Sequence, residues 1–197
     1  MLYTKGMVLL YIDTETTGLN VANCSIWQLA GYITDTAKNI TESFDFRIRP
    51  YRGETISEEA AAKTSMTQEQ LDTFPSQSEA FNSFVSLLGK FVDLEDWNQR
   101  VIPVGYNISF DLDFLRAWFA YNNSAGLFSK NIYFPGIDVM YLSSYYLLGE
   151  RHKMRNFTLT TVYEYVLHKK FPNAHNALAD IDATKELLNA IVKDLHR

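Results

Sequence analysis

Residues 7–19 read MVLLYIDTETTGL, an apolar run that ends in two carboxylates one residue apart. The apolar part is too short for a membrane helix and predicts a buried central strand. Side chains alternate along a strand, so Asp13 and Glu15 project from one face while Thr14 points to the other. Two such carboxylates repel each other unless a proton or a divalent cation lies between them. Hard carboxylate oxygens favour magnesium or manganese over zinc.

Two further acidic motifs follow, and each lies where a helix is expected to begin. Residues 105–115 read GYNISFDLDFL after the short apolar strand 101–104, and residues 175–184 read HNALADIDAT at the start of the last predicted helix. Taken alone, the first carboxylate pair is also compatible with a strand end at the surface. An acid in a first helical turn is equally compatible with a simple complement to the helix dipole. The occurrence of all three motifs in one chain favours a shared acidic site.

The ordered motifs DxETTGL, NxxFD and HxAxxD resemble the DEDDh group of 3′-to-5′ exonucleases. This group includes the proofreading epsilon subunit of bacterial replicative polymerase, ribonuclease T and oligoribonuclease. The similarity runs from Leu9 to about Leu188. It implies an α/β fold with a ribonuclease-H-like mixed β-sheet flanked by α-helices. It also implies a two-metal exonuclease that hydrolyses phosphodiester bonds at single-stranded 3′ ends, with DNA favoured, and releases nucleoside 5′-monophosphates.

The resemblance implies a role for each residue that matches a motif position. Asp13 takes the place of the carboxylate that bridges two ions, Mg²⁺ or Mn²⁺, and His175 takes that of the general base. Motif spacing selects Asp111 over Asp113 and Asp180 over Asp182. His175 lies five residues before Asp180, an offset of about 140° on a helix, which favours a loop position for the histidine. The implied metal ligands are Asp13, Glu15, Asp111 and Asp180.

A second set of residues is implied to bind the terminal nucleotide. The segment from Thr14 to Leu19 resembles the turn that holds it, and Leu19 takes the place of an apolar wedge against its base. The implied substrate-binding residues are Thr14, Thr16, Thr17, Gly18, Leu19, Asn107 and Phe110. The near-helical spacing of Phe110, Phe114, Trp118 and Tyr121 favours core packing over base stacking. For Phe110 both interpretations stay open.

Two positions near the second motif are interpreted as structural. Tyr106 departs from the family, in which a histidine often precedes the asparagine, and this difference affects local packing while leaving the catalytic set intact. Asp138 resembles a family position that follows a strand, and we interpret it as structural.

Composition predicts one compact domain over residues 1–197, and the resemblance implies that it is an exonuclease domain. The hydrophobic fraction of 47% suffices for one substantial core. The single cysteine, Cys24, excludes an intramolecular disulfide and favours a cytoplasmic protein. The N-terminal apolar run leads straight into the acidic motif, which argues against a signal peptide. No run of apolar residues is long enough for a membrane span.

The net charge of −5 is unusual for a nucleic-acid binder. Binding of two dications by four carboxylates would bring the protein nearer neutrality. The basic segment Arg151–Arg155 is either a solvated loop or a track for phosphates, and both stay open. Expected partners are single-stranded DNA or RNA 3′ ends, with a polymerase or other tethering protein as a further partner. An RNA 3′-end trimming exoribonuclease or oligoribonuclease, and a binding module without turnover, are the alternative functions.

Periodicity and turn residues predict the secondary structure. Strands are expected at Met7–Asp13, Ile26–Thr34, Glu42–Arg49, Val101–Gly105 and near Asn131–Phe134, with a hairpin turn at 34–39. Helices are expected at Ser57–Ala62, Ser76–Phe91, Ser109–Asn122, Val139–Leu148, Thr158–Leu167 and Ala177–Leu195. Three antiparallel strands followed by alternating strands and helices predict a mixed sheet with all four acids at one end of its central strands.

Overall fold

A five-stranded mixed sheet forms the centre of the computed structural model, which describes residues 8–34, 40–51, 53–96, 98–171 and 177–196, with the backbone alone at 40 and 41. The strand order is β3-β2-β1-β4-β5. The strands are β1 (Val8–Thr16), β2 (Ile26–Thr34), β3 (Ile40–Arg47), β4 (Val101–Gly105) and β5 (Ile137–Asp138). Neighbours among β1, β2 and β3 are antiparallel, whereas β4 is parallel to β1, and β5 to β4.

Helices cover both faces of this sheet. Within the described residues they are α1 (Glu58–Thr64), α2 (Gln68–Asp72), α3 (Gln77–Leu88), α4 (Ile108–Tyr121), α5 (Ala125–Asn131), α6 (Val139–Tyr146), α7 (Leu159–Leu167) and α8 (Ala177–Leu195). A single 3₁₀ turn, Arg151–Lys153, follows α6. The predicted α/β class and mixed sheet are confirmed.

Alternation along β1 divides the interior into two cores. Leu10 and Ile12 pack with α3 and α4, in a core that contains Phe84 and Trp118. Tyr11, between them in sequence, belongs to a second core with residues of α7 and α8. Because the alternation continues past residue 12, Thr14 extends the α4 face, and Asp13 and Glu15 extend the α8 face.

The predicted strand near Asn131–Phe134 is wrong. Asn131 is the last residue of α5, where its side-chain amide donates to the carbonyl of Leu127 at 2.8 Å. Ile132 makes one isolated bridge to Val101, and the fifth strand follows at Ile137–Asp138. A short apolar run does not distinguish a strand from a buried helix end, and the buried Phe128 anchors this segment as a helix.

The remaining elements lie within three residues of their predicted bounds. β1 continues beyond Asp13 to Thr16, and the last helix has the predicted bounds Ala177–Leu195. Helices α2 and α5 were not predicted. Met7 and residues 35–39 of the predicted hairpin turn lie outside the described residues.

Gly31 permits β2 to pack closely against its neighbours. It pairs with Ile12 of β1 and with Phe44 of β3. An added Cβ would meet the carbonyl oxygen of Tyr11 and would lie 2.5 Å from the Phe44 ring. A side chain at this position therefore requires the sheet itself to shift.

We expect Gly31→Ala to lower the free energy of unfolding by about 1–3 kcal/mol, the usual cost of overpacking a core. Gly126→Ala is the matched control, because Gly126 lies in α5 and nothing is within 4 Å of its added Cβ. Alanine favours a helix over glycine, so the control is expected to be neutral or stabilising. Urea denaturation of the three proteins measures the difference, and equal stabilities would contradict the proposed packing constraint.

Candidate active site

The C-terminal end of β1 brings two carboxylates to one face of the sheet. Asp13 and Glu15 pair across the strands with Ala30 and Gln28 of β2. The register then shifts between Glu15 and Thr16. Such irregularities bend a strand and redirect its side chains. Here the shift falls directly after the second carboxylate, and β1 ends one residue later at Thr16.

Asp111 joins this end of β1 from the first turn of α4 and is 4% exposed. The backbone amide and the hydroxyl of Thr14 both donate to its Oδ1 atom, at 2.9 and 2.7 Å. Two donors on one oxygen fix the carboxylate against β1. Thr14 thus positions Asp111 from the face opposite to Asp13.

Asp180 lies in the first turn of α8 and faces the same end of β1. Its charge raises the pKa of both Asp13 and Glu15. Asp182, two residues later, is exposed and accepts a hydrogen bond from the Tyr32 hydroxyl. The structure therefore brings Asp180 to the other acids and leaves Asp182 apart from them.

The clustered carboxylates strongly disfavour one another's ionised forms. Burial, with the charges of Asp111, Glu15 and Asp180, holds the pKa of Asp13 well above its usual value. Burial and Asp180 raise the pKa of Glu15 to about 7, although Lys63 and Arg47 oppose this. Burial also raises the pKa of Asp111 to about 7 against the lowering effect of the Thr14 hydrogen bonds.

This donor set has the chemistry that Mg²⁺ or Mn²⁺ requires. All four donors are carboxylates, and a dication would relieve the repulsion that raises their pKa values. Within the described residues, no three Asp, Glu, His or Cys side chains form a preassembled metal cage. Mg²⁺ does not need one, because it retains waters and binds through one or two carboxylates together with substrate phosphates.

His175 lies outside the described residues, as do all positions from 172 to 176. Its assignment as the general base stays a prediction.

A cleft of about 150 Å³ opens beside Glu15. Leu19 and Phe110 both line it, and Leu19 is 72% exposed. Phe110 also packs against Phe114, with ring centroids 4.9 Å apart. The position of Phe110 is therefore compatible both with core packing and with stacking on a base. The predicted substrate-binding residues in the lining are Thr14, Thr16, Gly18, Leu19 and Phe110.

The turn after β1 is fixed by its own hydrogen bonds. Thr16 Oγ1 donates to the carbonyl of Gly18 at 2.7 Å, and Thr17 Oγ1 accepts from the amide of Ser25 at 3.0 Å. Thr17 is 1% exposed and does not line the cleft. An added Cβ at Gly18 would lie 2.8 Å from Cys24 Sγ. The structure thus places Thr17 behind the turn, where it supports the cleft.

Asn107 also lies outside the cleft lining. It precedes α4 in a left-handed conformation, with φ of 63°, and its side chain is exposed. The backbone amide of Asn107 donates to Asp138 Oδ1 at 3.1 Å, and the same oxygen accepts from the backbone amide of Met140 at 2.9 Å. Asp138 therefore joins the start of α4 to the start of α6, which confirms its interpretation as structural.

The opposite wall of the cleft was missed by sequence reasoning. It comes from α1 and its cap, with Ser57, Glu59, Ala60, Lys63 and Thr64 in the lining. Ser57 caps α1 by accepting from the amide of Ala60, and its own amide donates to the carbonyl of Thr17. The available sequence signal was the cap followed by Glu59 and Lys63 at helical spacing, which form an ion pair at 2.7 Å. That pattern predicts a solvated helix and carries no sign of a cleft.

The profile of a single protein family, described as Exonuclease, matches residues 10–188 of this chain. The chain belongs to this exonuclease family. The match covers the end of β1, α4 and most of α8, which carry all four carboxylates. The resemblance to DEDD-type 3′-to-5′ exonucleases is therefore confirmed.

Two relatives of this chain are DNA polymerases III of the PolC type. The chain is 26% identical over 194 residues to the DNA polymerase III PolC-type of Pediococcus pentosaceus, across 96% of its own length and 12% of the relative's. It is 29% identical over 183 residues to the DNA polymerase III PolC-type of Latilactobacillus sakei, across 92% of its own length and 11% of the relative's. The chain thus spans about one-ninth to one-eighth of the length of these polymerases.

Solved structures of E. coli Exonuclease I share the fold. The complex with a dT13 oligonucleotide gives a TM-score of 0.73 at 22% identity, over 94% of this chain and 40% of that one. The zinc-bound complex with single-stranded DNA gives a TM-score of 0.77 at 20% identity, over 98% of this chain and 42% of that one. This likeness confirms the predicted ribonuclease-H-like architecture.

The raised carboxyl pKa values predict how the metal-free protein responds to pH. Folded carboxyls that titrate near 7 bind more protons than the unfolded chain between about pH 4 and 7, so stability is lost as pH rises through that window. Asp13→Asn removes one charge, and we expect a smaller loss in this variant. Thermal denaturation in EDTA from pH 4.5 to 7.5 measures how stability changes with pH in the wild type and in Asp13→Asn. A difference between the two proteins that is constant with pH would contradict the mutual repulsion.

Proposed function

We propose that this chain is a metal-dependent 3′-to-5′ exonuclease that acts on single-stranded DNA ends and releases nucleoside 5′-monophosphates. The observation that carries the proposal is the gathering of four carboxylates beside a cleft that Leu19 and Phe110 line. Family membership supports phosphodiester hydrolysis as the reaction. Similar structures of E. coli Exonuclease I are complexes with dT13 and dA16 oligonucleotides and with single-stranded DNA, which supports DNA as the substrate.

Asp13, Glu15, Asp111 and Asp180 would hold two divalent ions, Mg²⁺ or Mn²⁺. Such a pair lowers the pKa of a bound water and stabilises the charge on the leaving oxygen. Thr14 keeps Asp111 in place through two hydrogen bonds to one oxygen. Lys63 lies in the cleft lining and opposes the raised pKa of Glu15, so it favours the charged carboxylate.

His175 is the proposed general base. An imidazole titrates near neutral pH and can accept the proton of the attacking water, which is worth about 10²–10⁴-fold in rate. A position just before α8 would bring it near Asp180, at the same end of β1. The histidine would act on the water and not as a ligand of the ions.

The cleft would select an end and not a sequence. Leu19 offers an exposed apolar surface to one unstacked base, and Phe110 lies in the same lining. A paired terminal base must leave its stack to enter, at a cost of a few kcal/mol that is least for a mismatch. Mismatched ends would therefore be removed faster than matched ends, without any contact that recognises the mismatch.

The biological setting follows from the relatives and stays part of this proposal. The PolC-type relatives suggest a polymerase as the partner that holds the nucleic acid, and a cytoplasmic protein is favoured by the single cysteine. Among the described helices, none has the length and apolarity needed to cross a membrane.

We expect single-nucleotide shortening of a 5′-labelled DNA strand in Mg²⁺ or Mn²⁺, and immediate release of labelled mononucleotide from a 3′-labelled strand. Asp13→Asn should abolish both, because it removes the proposed bridging carboxylate. Asp182→Asn is the matched control and should retain activity, since Asp182 is exposed and bonded to Tyr32. The rates on RNA strands of the same sequence measure the preference between deoxyribose and ribose.

Duplexes with matched and mismatched 3′ ends extend the same assay, each also with a 3′-phosphate. Mismatched ends should be shortened faster than matched ends, and the 3′-phosphate should slow both. Cutting of circular single strands would contradict the exonuclease assignment. Full activity in Asp13→Asn would contradict the metal assignment.

A further inference from the structure

An exposed apolar face runs along α6. Tyr141, Tyr145 and Leu148 are 64%, 72% and 73% exposed and follow one another at spacings of four and three residues. The opposite face is anchored by the buried Val139, Ser143 and Leu147. Large apolar side chains exposed as a contiguous set mark a binding surface more often than isolated ones do.

Arg151 places a fixed cation on this same face. Its Nη1 donates to Ser144 Oγ at 3.0 Å, and Ser144 lies three residues after Tyr141 on α6, directly before Tyr145. Its guanidinium also lies over the Phe157 ring, 3.9 Å from the centroid. These two contacts, with Ser144 and Phe157, hold the guanidinium in place, and it has no carboxylate partner among the described residues.

The surface is continuous with the motif that carries Asp111. The Tyr106 hydroxyl donates to the carbonyl of Phe157 at 2.8 Å, and Tyr106 directly precedes Asn107. Asp138 bonds the amides of both Asn107 and Met140 at the start of α6. Burial and Asp138 raise the pKa of Tyr106, whereas Arg151 lowers it, as expected of a nearby cation. These hydrogen bonds join the start of α6 to Asn107, the residue that precedes the helix carrying Asp111.

The charge of the segment after α6 favours an anionic occupant. Lys153 is paired with Glu150, and within the described residues Arg155 has no carboxylate partner and is exposed. Arg151 and Arg155 are thus available to phosphates, in a chain whose net charge is −5. Aromatic rings beside cations are the usual surface for single strands, because rings stack on bases and cations follow the backbone.

We propose that the surface formed by Tyr141, Tyr145, Arg151 and Arg155, here called the α6 surface, binds single-stranded DNA upstream of the 3′ end held in the cleft. This inference rests on the proposed exonuclease function and assigns that function a second substrate contact. The two tyrosines lie about 6 Å apart along the helix axis, so successive bases of an extended strand can each meet one ring. The α6 surface compensates for the acidic net charge by attracting the strand locally.

Binding without hydrolysis tests the α6 surface directly. The probe is 5′-fluorescein-labelled (dT)20 in EDTA, with fluorescence anisotropy as the readout. We expect the double variant Tyr141→Ser/Tyr145→Ser to raise Kd at least 10-fold, since stacking contributes about 1–3 kcal/mol per base. Arg155→Gln should raise Kd and reduce its dependence on salt concentration.

Two controls separate these effects from general changes of surface. Leu94→Ser removes an apolar side chain that is 44% exposed, and Lys130→Gln removes an exposed cation of α5. Neither residue belongs to the α6 surface, and both variants should bind (dT)20 as the wild type does. Thermal denaturation checks that the four variants remain as well folded as the wild type.

Substrate length gives the second readout. On (dT)3 the tyrosine variant should keep the wild-type kcat/KM within twofold, whereas on (dT)20 its kcat/KM should fall about 10-fold through KM. Equal losses on both lengths, or unchanged binding of (dT)20, would overturn the α6 surface. A wild-type protein that binds (dT)20 through these residues but hydrolyses neither strand would refute the proposed function and leave this inference standing.

Discussion

Repulsion among carboxylates at the end of β1 is the constraint on which the rest of the structure depends. The charges of Asp111, Glu15 and Asp180 all add to the effect of burial in raising the pKa of Asp13. The fold must hold these groups together against that repulsion, and it does so through two cores on opposite faces of one strand. Hydrophobic packing of α4 and α8 thus offsets an electrostatic cost that a dication would remove.

The alternation of side chains along β1 sets both which core each residue joins and which face carries the acids. Leu10 and Ile12 anchor the face on which Thr14 reaches Asp111, and Tyr11 anchors the face that carries Asp13 and Glu15. A shift of one residue in the register of β1 would exchange these faces and separate the acids. The close packing at Gly31, opposite Ile12, keeps the neighbouring strand in the register that prevents this.

Features set by local pattern were predictable, and features set by distant contacts were not. The spacing of Asp13 and Glu15 agrees with the structure because it depends on strand alternation, and the end of α8 at Leu195 agrees because it depends on helical periodicity. Asp180 was chosen over Asp182 by motif spacing, and the structure brings Asp180 and not Asp182 to the other acids. The wall supplied by α1 was missed, since it exists only when Ser57 bonds to Thr17 across 40 residues of sequence. Thr17 was assigned to the substrate, yet its hydroxyl accepts from the Ser25 amide, a contact that no motif reveals. The misplaced fifth strand has a similar origin, because packing of Phe128 decides the conformation of its segment.

We propose that the four carboxylates at the end of β1 bind divalent cations. Calorimetric titration of the metal-free protein with Mn²⁺ tests it most directly, with Asp13→Asn and Asp182→Asn titrated in parallel. We expect saturable binding of Mn²⁺ to the wild type and to Asp182→Asn, and loss or strong weakening of binding in Asp13→Asn. Equal affinity and stoichiometry in all three proteins would contradict it.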